Sequence, residues 1–171
     1  MNLTDHLIEK KPAILKKWFD ATADTYAKDT AGFLKKQKAQ FTNPVGYTYA
    51  EGMERLFDAL LKGLIDDKVS SFLDSMVRIR AIQEFTPSEA LSFIFLLKKI
   101  IRQELGGEVL QQQGMIEELA AFDSTIDDLA LFAFDIYMRC REKIYDLKAS
   151  EARNMTFRLL QQAHLIVDNQ D

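Results

Sequence analysis

At 171 residues, with 47% hydrophobic and 11% aromatic side chains, the chain has enough apolar material for one ordinary core, which excludes disorder over its whole length. Its 26 acidic against 22 basic residues leave a net charge of -4 on a mixed-sign surface whose densest basic run is Lys35, Lys36 and Lys38, an argument against a nucleic-acid partner. Cys140 is the only cysteine, so an intramolecular disulfide framework and multi-cysteine metal centres are excluded, and a reducing cytoplasm fits best.

Met1 to Lys11 is charged and alternates polar with apolar residues, offering neither the apolar stretch of a signal peptide nor a span long enough for a bilayer. Most of the three prolines and seven glycines fall between stretches whose apolar residues recur at three-four spacing, the helical period. The first stretch carries Leu7, Ile8, Ile14, Leu15, Trp18, Thr22 and Tyr26 in one phase across Pro12, where loss of a backbone donor predicts a kink or a fresh helix start. A short polar helix over about Thr30 to Lys38 follows, and Phe41 to Pro44 reads as a loop. From Val45 to Leu64, Tyr49, Met53, Leu56, Phe57, Leu60, Leu61 and Leu64 gather opposite Glu51, Glu54, Arg55, Asp58 and Lys62, the pattern of a surface helix with a core face.

The next helix, about Asp67 to Glu84, is expected to bury Val69, Phe72, Leu73, Met76 and Ile79. Thr86-Pro87-Ser88-Glu89 then signals a helix start, with a capping hydroxyl, proline at the first helical position and Glu89 at capping-box spacing. That helix runs to about Leu105, where Gly106-Gly107 stops it; its apolar run Ala90 to Ile101 is interrupted by Ser92 and Lys98-Lys99, so it reads as buried and not as a membrane insertion. Between Glu108 and Phe122 the pattern is weak, with a short helix from Met115. A long helix opens near Ser124 and holds phase through Leu147. Ala152, Met155, Thr156, Leu159, Leu160, Ala163, Ile166 and Val167 form one more stripe, and nothing between Lys148 and Arg153 demands a break, so residues 148–171 are expected as an extended signalling helix. The chain reads as a single all-α domain over residues 1–171, a bundle of about six to eight helices.

Little in the chain suits catalysis. His6 and His164, the only histidines, read as flanking side chains in preference to metal or haem ligands, and Cys140 shares a helix face with Ile136 and Ile144, as a buried inert thiol does. Asp128, Asp135, Arg139, Glu142 and Asp146 form a solvated stripe in which Asp135 and Arg139 are spaced for an ion pair. No phosphate loop, HExxH motif, nucleophile elbow or calcium loop is present. No catalytic residue, metal site or cofactor is therefore assigned.

Two features break the pattern. Arg80 projects into the apolar face of Val69, Leu73 and Met76, where a bare guanidinium is costly. An internal salt bridge or a snorkelling surface arginine explains it most simply; as a ligand site, Arg80 would grip a carboxylate in an apolar pocket with Phe95 and Trp18. Leu91 and Phe95 sit in the polar sector of their helix, and Phe134, Met138 and Tyr145 make a second stripe about a third of a turn from Ile126, Leu129, Ala133, Ile136 and Cys140. Two stripes need two covers. Leu91, Phe95, Phe134, Met138 and Tyr145 are accordingly expected at a dimer or partner interface, the alternative being a fully central helix.

The run Val77-Arg78-Ile79-Arg80-Ala81-Ile82-Gln83-Glu84-Phe85-Thr86-Pro87-Ser88-Glu89-Ala90, followed by Phe93-Ile94-Phe95-Leu96-Leu97-Lys98, resembles the N-terminal domain of RsbRD-type proteins, the RsbT co-antagonists. Phe33-Leu34-Lys35-Lys36, the Asn43-Pro44-Val45-Gly46 loop and Tyr137-Met138-Arg139-Cys140-Arg141-Glu142-Lys143-Ile144-Tyr145 fall where that resemblance puts them. The resemblance implies a globin-like, non-haem, cytoplasmic sensory domain related to those of the stressosome, dimeric through long helices and coupled to a protein partner in a signalling pathway. In such proteins an output module follows, often one carrying phosphorylatable hydroxyls; none follows within these 171 residues, and no phosphorylation site is carried over.

Overall fold

A computed structural model describes residues 1–36, 41–63 and 67–163, so the expectations placed on Lys38, Leu64, His164, Ile166 and Val167 lie outside the described residues. Within them the chain forms six helices and no strand: α1 (Leu3–Ala23), α2 (Lys28–Lys36), α3 (Pro44–Lys62), α4 (Asp67–Ile82), α5 (Pro87–Leu110) and α6 (Met115–Gln162). The all-α class expected from the three-four spacing is the one observed, and no helix is long and apolar enough to cross a membrane among the described residues.

Each start has a local chemical cause. Asn2 and Asp5 close a reciprocal capping box on α1, and Thr86 with Glu89 does the same on α5, as the Thr-Pro-Ser-Glu spacing predicts. The Glu89 carboxylate accepts from the Thr86 backbone N–H and hydroxyl, which holds it below the usual carboxylate range. Asn43 caps α3 by accepting from the Gly46 N–H at 2.8 Å, with Pro44 in the first turn. A Cβ at Gly46 would collide with that Asn43 amide.

The structure departs from the sequence-based expectation at two joints. No second helix starts at Pro12, since α1 continues through it; Pro12 and Ile8, whose carbonyl loses its N–H partner, are both exposed, so the orphaned acceptor lies on the hydrated side. Nor does a helix open at Ser124. Met115, Leu119, Ile126, Leu129, Ala133, Ile136 and Cys140 keep one buried phase, and the Ser124 and Thr125 hydroxyls donate back to the Ala120 and Ala121 carbonyls instead of capping. The result is one helix of 48 residues, about 72 Å long at 1.5 Å per residue. The expected stop after Leu105 is real: Gly106 leaves helical geometry at φ 73°, ψ 168°, and one further turn follows.

Packing centres on α5, which lies against both α1 and α6, and on α4, which lies against α3 and α6. Trp18, Phe57, Phe93, Leu97 and Met76 are fully buried where these helices meet. Gly52 lets α3 approach α4 closely, since a Cβ there would lie 2.6 Å from the Met76 sulfur. Cys140 is the last buried residue of α6; beyond it the helix leaves the bundle with most side chains in water.

Candidate functional site: a caged arginine, the α6 exit and an apolar groove

Arg80, in the last turn of α4, is fully buried. Its Nε donates to the Tyr49 hydroxyl (2.9 Å), Nη1 to the Glu89 carbonyl (2.8 Å), and Nη2 to Thr25 Oγ1 (2.8 Å) and the Thr22 carbonyl (3.4 Å). Four rings surround the guanidinium, with centroids of Phe85 at 4.9 Å, Tyr26 at 5.1 Å and Tyr49 and Phe93 at 5.6 Å. No carboxylate pairs with it among the described residues. The charge is held instead by ring faces and by a carbonyl at the C-terminal, partially negative end of α1. This is neither of the simple readings, salt bridge or snorkelling arginine. Burial pushes the Tyr49 phenol strongly up, against the opposing effect of the Arg80 charge, so Tyr49 stays a neutral acceptor for Nε and donates to the Met76 carbonyl at 3.1 Å.

The turn after Arg80 grips α6. Glu84 has φ 63°, and the Phe85 and Glu84 N–H groups return to the Arg80 and Ala81 carbonyls, a Schellman-type closure with glutamate in the left-handed position. Tyr137 of α6 donates to the Phe85 carbonyl at 2.5 Å, Arg141 to the Ala81 carbonyl at 3.1 Å, and Lys148 pairs with Glu84 at 3.3 Å. Arg141 also donates to the Tyr145 hydroxyl at 2.8 Å. Phe85 therefore touches the Arg80 cage on one side and α6 on the other.

Beside this exit, α5 and α6 leave an open groove of about 550 Å³ lined by Pro87, Leu91, Phe95, Leu96, Lys99 and Phe134. It runs on into a second hollow of about 400 Å³ that adds Asp127, Ala130 and Leu131. Phe95 (50% exposed), Phe134 (43%), Leu131 (67%) and Met138 (38%) form an uncovered apolar face, while Leu91 is buried at its floor.

The structure brings Leu91, Phe95, Phe134 and Met138 to one side of the molecule and puts Tyr145 further out on the same helix. It does not bring Arg80, Phe95 and Trp18 together. Trp18 is a core residue whose Nε1 donates to the Phe93 carbonyl at 2.6 Å, and Phe95, two residues from Phe93, points away from it. Leu131 and the α4–α5 turn do not stand out in the helical pattern of the sequence; the seven-residue interval from Leu131 through Met138 to Tyr145 is the signal that marks Leu131. His6 is buried with its Nε2 unpartnered, and among the described residues no group of three or more His, Cys, Asp or Glu side chains is placed to hold a metal.

No curated protein and no solved structure matches the chain. Residues 12–152 match the family model described as the RsbT co-antagonist protein rsbRD N-terminal domain, and that span holds the Arg80 cage, the turn and the groove. The chain belongs to this family of signalling-related regulatory domains, the RsbT co-antagonist rsbRD N-terminal domains.

Proposed function

We propose that this domain is a non-enzymatic, cytoplasmic signalling input that pairs with a second copy through the α5–α6 face and transmits changes in helix packing along α6 to a protein partner. The observation that carries the reading is one uncovered apolar line on α6: Leu131, Met138, Tyr145, Ala152 and Leu159 recur every seven residues, all exposed, from the groove to near the end of the helix. A seven-residue repeat drifts by about 20° per repeat on a straight helix, so pairing along it favours a left-handed supercoil. Phe95 and Phe134 widen the line where it crosses the bundle, supplying aromatic anchors of the kind found at the centre of interfaces.

Transmission needs an element with two packed arrangements, and the Arg80 turn suits the part. Its three polar contacts to α6 are directional and few, so a small rotation of α6 breaks them together while the buried stripe up to Cys140 holds the helix in the bundle. Phe95→Asp and Met138→Asp test the pairing: each should give a folded monomer from a dimeric parent, read by light scattering. A second reading, an apolar small ligand in the groove, is favoured by its size and by Lys99 at its rim. Native mass spectrometry of protein purified from cells would then retain a small molecule that Phe95→Asp releases.

A further inference from the structure

On a different side of α6, between it and α4, lies a hollow of about 310 Å³ whose floor is Ile136 and Cys140 and whose walls are Asp74, Arg78, Arg139 and Lys143. Three cations and one carboxylate meet there, in a chain whose net charge is -4. Asp74 takes up the Nε and Nη2 of Arg78 by hydrogen bonds of 2.8 to 3.1 Å, and Nη1 makes no hydrogen bond among the described residues. Arg139 and Lys143, one turn apart, make no hydrogen bond or ion pair among the described residues. The natural partner for Arg139, Asp135 four residues earlier, does not take it, and Asp146, three residues past Lys143, does not take that lysine. Both side chains are exposed at the rim of the hollow, so their charges stand open to an anion from solution.

We propose that this hollow is an anion site for a small phosphorylated metabolite, whose phosphate or diphosphate is held by Arg139, Lys143 and the free face of Arg78. The volume is at the lower end of small-molecule sites. A ligand there ties α4 to α6 within one turn of the last buried residue, Cys140, where α6 leaves the bundle. It therefore favours one seating of that helix over another, and by reciprocity any partner that prefers that seating tightens the ligand. The site lies roughly 150° around α6 from Phe134 and Met138, so it does not depend on the pairing proposed above.

The test uses the full chain at low salt, titrated with pyrophosphate and with inorganic phosphate and followed by amide chemical shifts. Saturable shifts confined to α4 and α6 around residues 74–78 and 136–143 are expected. Arg139→Gln with Lys143→Gln should weaken binding by about tenfold or more, with unchanged melting in anion-free buffer. Phe134→Asp should bind as the parent does, which separates this site from the pairing face. Retained affinity in the double variant, shifts spread over all surface lysines, or no saturation by about 10 mM pyrophosphate would overturn the proposal.

Discussion

Arg80 shows how a residue can be visible in the sequence while its purpose is not. A guanidinium in an apolar stripe is legible from spacing alone, but its acceptors come from the end of α1, the second turn of α3 and the start of α5, and only the tertiary fold assembles them. Arg80→Met fills similar volume yet leaves buried carbonyls unpaired, at about 1–3 kcal/mol for each unsatisfied group, so a loss of about 2–4 kcal/mol in urea unfolding is expected. Arg80→Lys keeps the charge but loses the planar fork and the ring stacking, and should lose a comparable amount. Parent-like stability in both variants would mean that the cage is not a structural clamp. Glu84 makes the opposite prediction. A non-glycine residue at φ 63° carries about 1 kcal/mol of strain, whereas the exposed pair with Lys148 contributes well under that, so Glu84→Gly should raise the unfolding midpoint slightly while loosening the grip on α6.

At the level of elements, the long helices were readable where periodicity and punctuation agreed. Thr86, Pro87 and Glu89 marked the start of α5 and Gly106 its break, because capping and backbone freedom are local chemistry. The start of α6 is not legible for the converse reason: Ser124 has the composition of a cap, but a hydroxyl can bond the carbonyl four residues back, and the buried phase from Met115 decides between the two. Past Cys140 the helix gains little from burial, so its integrity rests on propensity and on whatever covers its apolar line. Ser150→Pro tests this directly. It should remove helical signal from residues 144–163 and their amide protection, yet change the unfolding free energy of the bundle by less than about 1 kcal/mol. A large loss of global stability would show that the outer helix is part of the core.

Over the whole molecule, the sequence revealed that two apolar stripes on one helix need two covers, and the structure supplies only one of them. The bundle covers Ile126, Leu129, Ala133, Ile136 and Cys140, and none of the described residues covers Leu131, Phe134, Met138, Tyr145 or Leu159. Groove shape and the α4–α5 turn were not legible, since both depend on how α5 and α6 are set against each other and not on any one helix's pattern. A face this apolar on a small domain is expected to be occupied, and in the proposed pairing a second copy would meet it with the same residues across a two-fold axis. Light scattering on the purified chain is the most direct test. A mass twice the 19.6 kDa of the chain, falling to 19.6 kDa in Phe95→Asp and Met138→Asp without loss of helical signal, is the predicted result; a parent that stays at 19.6 kDa at all concentrations would contradict it.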